Sequence, residues 1–237
     1  MSDWSAPQRP NTYAEQSLIS AILDGTFPPG SALPGERTLA AELGVTRPTL
    51  REAIQRLARD GWFTVRQGKQ TVVNNFWEDG GLNVLSALVQ HGDELPPNFV
   101  VHLLEVRLQL APAYTRAAIE QNAPAAMELL RGYERLPDVA AAYAAFDWQL
   151  HRCLTITSGN PIYTLILNGF ANFYEELARL YFTSEQARSR SLAYYRELAA
   201  LAKAGDGAAA ERLSRAAMEE SIGLWQITKQ QVAANGA

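Results

Sequence analysis

Gly44-Val45-Thr46-Arg47-Pro48-Thr49-Leu50-Arg51-Glu52-Ala53-Ile54-Gln55-Arg56-Leu57-Ala58-Arg59-Asp60 is the stretch that decides the fold of this chain. Gly44 suits the left-handed position that ends a helix. Thr46 suits the cap of the next helix, which the pattern runs from Arg47 to about Asp60. Pro48 is tolerated there because first-turn N–H groups have no partner inside the helix. Leu50, Ile54 and Leu57 form its inward stripe. Arg47 and Arg51, four apart, share a different face and point outward together.

The flanks complete a recognisable order. Upstream, Tyr13 to Leu23 has apolar residues at helical spacing (Leu18, Ile19, Ile22) and is stopped by Gly25 and Phe27-Pro28-Pro29-Gly30. A second helix is expected from Gly35 to Leu43, with Leu39 and Leu43 on one face. Downstream, after Gly61, Trp62–Arg66 and Gln70–Val73 read as two strands around a tip at Gln67-Gly68-Lys69. Helix, helix, tight turn, helix, hairpin is the order of a winged helix-turn-helix, placed here at residues 8–74.

Such a domain reads DNA with an exposed helix start. Arginine offers a planar fork to guanine O6 and N7, while hydroxyls and helix N–H groups hold phosphates. Arg47, Arg51, Thr46 and Thr49 supply these groups, and Arg37 adds to the same surface. Two arginines on an exposed helix face are ordinarily just solvated charge. Here they follow a Leu-Gly-Val-Thr turn and precede a glycine-tipped basic hairpin. From Arg47 to Lys69 the positive residues are Arg47, Arg51, Arg56, Arg59, Arg66 and Lys69, against only Glu52 and Asp60. The tip residues Gln67, Gly68 and Lys69 are expected to contact DNA through the minor groove.

Composition sets the limits. The 237 residues carry a net charge of -4, with 47% hydrophobic and 19% charged residues. That is ordinary for a soluble globular chain, so DNA binding must come from a local basic patch rather than a basic coat. No stretch of about 18 uncharged apolar residues argues for a membrane span, and no signal peptide is visible. The single cysteine, Cys153, cannot form an intrachain disulfide. A cytoplasmic location is therefore expected.

Residues 75–81, with Phe76 and Trp77, read as a linker that packs rather than swings free. From there, residues 82–233 read as an all-helical bundle of about seven helices. Their approximate spans are 82–91, 98–121, 124–135, 138–157, 160–182, 184–204 and 207–233, with a kink at Pro112 and a helix start at Asn160-Pro161. The fold class is thus mainly α, with a small β-hairpin wing.

Within the bundle, Arg107 lies on an apolar face with Val100 and Leu104. A buried guanidinium requires something anionic. Either an internal carboxylate such as Asp147 meets it, or a ligand phosphate or thioester does. Ser221 and Trp225 are four apart on the last helix, and Tyr181 and Tyr174 could meet them; such aromatics also serve as plain core. Asp147 and His151, four apart, are spaced as a metal pair requires, but the chain has only His91 and His102 besides. An internal Asp–His contact explains the pair without a metal, and no metal is expected. No nucleophile elbow or phosphate-cradling glycine loop appears, which argues against an enzyme.

Phe27-Pro28-Pro29-Gly30, Leu33-Pro34-Gly35-Glu36-Arg37, Gly44-Val45-Thr46-Arg47 and Leu50-Arg51-Glu52-Ala53 resemble the GntR family of winged-helix regulators. Gln55 to Trp62, Val73 to Glu78, Ser158 to Tyr163 and Leu165 to Gly169 are similar to its fatty-acid-responsive branch, so the resemblance spans both domains and the linker. It implies a homodimer on a palindromic double-stranded operator. It further implies repression of fatty-acid degradation genes, activation of unsaturated fatty-acid synthesis genes, and release by long-chain acyl-CoA as effector, with no cofactor. Arg37, Thr46, Arg47, Thr49, Arg51, Gly68 and Lys69 match its DNA-contacting pattern. Pro48 replaces a threonine and cannot donate a hydrogen bond. Gln67 replaces a histidine and still donates, without a pH-dependent charge. Arg107, Tyr181, Ser221 and Trp225 match its acyl-CoA site, whereas Lys229 is one position out of register with the basic residue near the chain end. The alternative within the family is a regulator of another pathway, sensing a different carboxylate or coenzyme-A ester.

Overall fold

The computed structural model describes residues 9–91 and 95–235, with side chains as far as Lys229. Residue 8, where the sequence reading starts the first domain, lies outside them. The chain divides into two compact units between Leu95 and Pro96.

The first unit holds α1 (Pro10–Leu23), α2 (Glu36–Glu42), α3 (Arg47–Arg59), β1 (Phe63–Thr64), β2 (Val72–Val73), α4 (Phe76–Asp79) and α5 (Asn83–His91). Helices α1 and α2 both pack on α3. The inward stripe of α3, Leu50, Ile54 and Leu57, meets Leu18, Ile22 and Leu39 in a core closed by Trp62, Phe63 and Val73. Burying a large apolar side chain of this kind contributes roughly 1.5–3 kcal/mol.

The hairpin pairs Phe63 with Val73 and Thr64 with Val72. Its ladder is shorter than the sequence pattern suggests, because residues 65–70 are all exposed and nothing buried anchors the outer half. The inner half is held from the other side by residues 30–33. Gly30 donates to the Val73 carbonyl at 2.8 Å, and Val73 donates to that of Ser31 at 2.9 Å.

Residues 75–81 pack against this unit. Phe76 lies 5.0 Å from Trp62, ring centre to ring centre. Gly61 has φ +93°, and a Cβ there would stand 2.2 Å from the Asp79 carbonyl oxygen, so only glycine lets α4 approach so closely. Asn75 caps α4 through the Trp77 N–H. Helix α5 packs on α1 and buries Val84 and Leu88.

The second unit holds α6 (Phe99–Leu130), a 3-10 turn over Arg131–Arg135, α7 (Ala140–Thr157), α8 (Pro161–Asn168), α9 (Tyr174–Tyr181), α10 (Glu185–Ala204) and α11 (Gly207–Asn235). Helix α6 is central and packs on α7, α10 and α11. The core between them includes Leu130, Leu150, Leu154, Leu198 and Tyr195.

Two details differ from the sequence reading. The backbone stays helical through Pro112, where a kink was expected, and the break falls at Asn122 (φ -152°, ψ 57°), between the expected spans 98–121 and 124–135. Asn122 accepts from the Ala125 N–H at 3.4 Å and so caps a new segment. Pro124 then sits in a first turn, where its missing N–H is harmless. The expected helix 160–182 is two helices. Beyond Asn168-Gly169, tight bonds such as Phe170 N–H to Leu167 O (2.9 Å) and Phe173 N–H to Phe170 O (3.2 Å) turn the chain. This brings Phe173 into the interior, where it is buried.

Candidate functional site

At the start of α3 the Thr49 N–H donates to Thr46 Oγ1 (3.3 Å), and the two threonine hydroxyls share a hydrogen bond of 2.8 Å. One hydroxyl proton of the pair is left over, available to a phosphate oxygen. Arg47 and Arg51 project from the same turn, each with a side chain 60% exposed. Both converge on Glu36, the first residue of α2. Arg51 grips it with two prongs, Nε to Oε1 at 3.2 Å and Nη2 to Oε2 at 2.5 Å, while Arg47 stands 4.0 Å away. The bond from Arg51 holds the Glu36 carboxyl below the usual carboxylate range.

Sequence reasoning missed Glu36. Its signal was an acidic residue opening the helix before the two arginines. The carboxylate fixes the plane of the Arg51 fork, and an exposed ion pair is weak enough (about 0–1 kcal/mol) to be exchanged for a stronger partner. Arg37 is exposed on α2, and Gln67, Gly68 and Lys69 are all exposed at the wing tip. Gly68 adopts φ +70° there. Arg56, by contrast, turns to Glu52 and Glu15, so that part of the positive run is structural.

The second unit contains a cavity enclosing about 1240 Å³, its open mouth included, lined by side chains of α6 to α11 and the turn before α9. Most of the lining is apolar, with Leu103, Leu110, Ile166, Phe170, Leu177 and Leu224 among it. Arg107, Tyr181, Ser221 and Trp225 all line this one cavity, and so does Tyr174. Ser221 donates to the Met218 carbonyl at 2.7 Å, a bond within its own helix.

Beneath the apolar wall lies a polar network. Arg107 Nη2 meets Asp147 Oδ2 at 3.1 Å and His151 Nε2 at 2.6 Å. Asp147 also accepts from Tyr174 (2.5 Å) and Tyr195 (2.9 Å). Because arginine only donates, His151 Nε2 is the acceptor, and Nδ1 carries the proton that it gives to the Tyr114 hydroxyl oxygen at 2.6 Å. Burial, helped by the Arg107 charge, pushes the His151 pKa down to about 3, so the ring is neutral. Burial alone would raise the Asp147 pKa, but the Arg107 charge and the hydroxyls of Tyr174 and Tyr195 outweigh it and hold it below its usual value. Burial also pushes Tyr114, Tyr174 and Tyr195 upward. The network therefore holds one positive and one negative charge and sums to zero.

Arg107 Nε is buried and has no hydrogen-bond partner, and neither has the buried Tyr194 hydroxyl, which lines the same cavity. An internal carboxylate, one of the two alternatives for Arg107, is thus present, and it leaves the buried Nε–H unmet. The Asp147–His151 pair is filled by Arg107 and tyrosines. Among the described residues no group of three or more His, Cys, Asp or Glu side chains could hold a metal ion. No helix of the described residues is long and apolar enough to cross a membrane.

Comparison with known proteins divides the chain earlier, between residues 73 and 74. Residues 11–73 match the model of the bacterial regulatory proteins of the gntR family, and residues 74–236 match that of the FadR C-terminal domain. A fatty acid metabolism regulator protein of Shewanella baltica is 47% identical over 195 residues, 82% of each chain. One of Shewanella amazonensis is 44% identical over 220 residues, 93% of this chain and 92% of the relative. Among solved structures, Lar of Listeria monocytogenes shares the fold with a TM-score of 0.58 at 19% identity, over 93% of this chain and 98% of the other. These are families of transcriptional regulators rather than enzymes, and the chain belongs to the GntR family, in the group that carries a FadR C-terminal domain.

Proposed function

We propose that this chain is a DNA-binding regulator of fatty-acid metabolism whose helical unit takes a long-chain acyl-CoA, and that acyl-CoA releases it from DNA. The observation that carries the ligand reading is the unmet Nε–H of Arg107 in a charge-neutral network beside an apolar cavity. A buried donor without a partner costs roughly 1–3 kcal/mol, and a ligand acceptor recovers it. Arg107 and Asp147 already cancel, so a free carboxylate would leave a buried net negative charge. A thioester carbonyl accepts the same hydrogen bond and adds no charge, while the apolar lining suits the chain. The names of the relatives support fatty-acid metabolism as the pathway.

On the DNA side, Arg47, Arg51, Thr46, Thr49 and Arg37 contact the operator, with Gln67, Gly68 and Lys69 at the minor groove. The chain acts as a homodimer on a palindrome, each copy placing one α3 in a major groove. It represses fatty-acid degradation genes and activates unsaturated fatty-acid synthesis genes. Acyl-CoA binds better to the arrangement that fits DNA less well, so by linkage the operator weakens acyl-CoA binding by the same factor.

A gel shift on a palindromic fatty-acid-gene operator, titrated with acyl-CoAs of several lengths and with free carboxylates, tests the proposal. Release by long-chain acyl-CoA alone is expected. Release by short carboxylates instead would assign the chain to another pathway.

A further inference from the structure

Arg190 on α10 and Glu220 on α11 line the same cavity as Arg107, and sequence reasoning assigned Arg190 no role. Arg190 Nε donates to Glu220 Oε1 at 2.6 Å. The two side chains are 57% and 38% exposed, so this pair stands where the cavity meets solvent, whereas Asp147 is only 4% exposed. Among the cavity's lining residues the arginines are Arg107 and Arg190. Arg107 is committed to Asp147 and His151. Arg190 has a single exposed carboxylate, and its Nη donors meet no protein acceptor among the described residues.

Resting on the acyl-CoA reading above, we propose that Arg190 is the residue that recognises the phosphorylated head group of the effector, with Glu220 holding it in place until that group arrives. An exposed pair is worth little, so a competing anion displaces Glu220 only if it binds better. A singly charged carboxylate gains nothing over Glu220. A terminal phosphate brings about -1.5 to -2 charges and three acceptor oxygens, which match the guanidinium fork. The cavity then selects twice. A neutral carbonyl is met at Arg107, and a phosphate is met at Arg190 at the mouth, so a free fatty acid fails at both. The signal available in the sequence was spacing: Arg190, Ser191 and Tyr194 share a helix and all line the cavity.

The test is calorimetric titration of the full chain with hexadecanoyl-CoA and with S-hexadecanoyl-pantetheine, which has the same thioester and no phosphate. The wild type should bind the CoA thioester about tenfold more tightly. Arg190→Gln should lose most of that preference and bind the pantetheine thioester unchanged, whereas Glu220→Gln should bind the CoA thioester more tightly. If Arg190→Gln binds hexadecanoyl-CoA as well as the wild type, or loses both thioesters equally, the assignment is overturned. A wild type that binds the pantetheine thioester without preferring CoA overturns the assignment alone. A wild type that binds neither overturns the acyl-ligand reading and this assignment with it.

Discussion

His151 makes the stability of the second unit depend on pH in a direction that can be worked out. The side chain is 1% exposed, and burial with the adjacent Arg107 charge lowers its pKa to about 3 from 6.5. Above pH 6.5 the ring is neutral in both folded and unfolded chains, and stability is unaffected. Below it the unfolded chain binds a proton that the folded chain refuses, so stability falls by about 1.4 kcal/mol per pH unit. From pH 6.5 to 5.0 the loss is therefore about 1.6 kcal/mol, roughly a sixteenfold change in the opening equilibrium. The pKa of Asp147 is lowered from 3.8, so its own loss falls below this window. Burial also lowers the His91 pKa, which makes a control necessary. His151→Gln supplies it, since glutamine can accept from Arg107 and donate to Tyr114 without titrating. Hydrogen exchange of buried α7 amides such as Leu150 and Leu154, corrected for intrinsic rates, reads the opening directly. Wild-type protection should fall about sixteenfold further than that of the variant between the two pH values. An equal fall in both would refute the neutral, proton-refusing imidazole.

Four further outcomes are expected. Arg51→Ala should weaken operator binding by about 1–3 kcal/mol in a gel shift, with a smaller loss on random DNA; equal losses would make it a phosphate contact. Lys69→Ala should weaken binding to all sequences alike and reduce the slope of log affinity against log salt by about 1. Gly61→Ala should destabilise the first unit by on the order of 3 kcal/mol in urea unfolding, because φ +93° and the Asp79 carbonyl both exclude a Cβ. Trp77→Ala should keep acyl-CoA affinity and blunt acyl-CoA-induced release of DNA, if the linker of residues 75–81, where Trp77 is 56% exposed, transmits the signal; unchanged release would exclude Trp77 from that role.

The fold was legible where local chemistry and periodicity agree. Gly44, Thr46 and Pro48 mark the turn and the start of α3, and Leu50, Ile54 and Leu57 mark its buried face, so the window from Gly44 to Leu57 places the helix-turn-helix. The interruption of helix 160–182 was hidden because Phe170, Phe173 and Tyr174 continue the apolar spacing. They are apolar for the cavity they line, not for a continuous helix. The break at Asn122 falls between the expected spans 98–121 and 124–135, whereas the kink expected at Pro112 is absent. A proline without a capping residue ahead of it bends or is absorbed, whereas one two residues after an asparagine starts a new helix.

The binding residues were legible only as a list of candidates, and the reason is chemical. Asp147 and His151 at a spacing of four fit a metal pair, an internal contact or half of a larger network equally well. The spacing places both on one face and says nothing of what approaches that face. What decides is Arg107, forty residues away in sequence, whose Nη2 occupies the His151 Nε2 lone pair at 2.6 Å. A metal ion would need that same lone pair and would stand beside a guanidinium charge, so the arginine excludes it twice, by occupancy and by repulsion. The arrangement also cancels the Asp147 charge and leaves the buried Arg107 Nε–H without a partner.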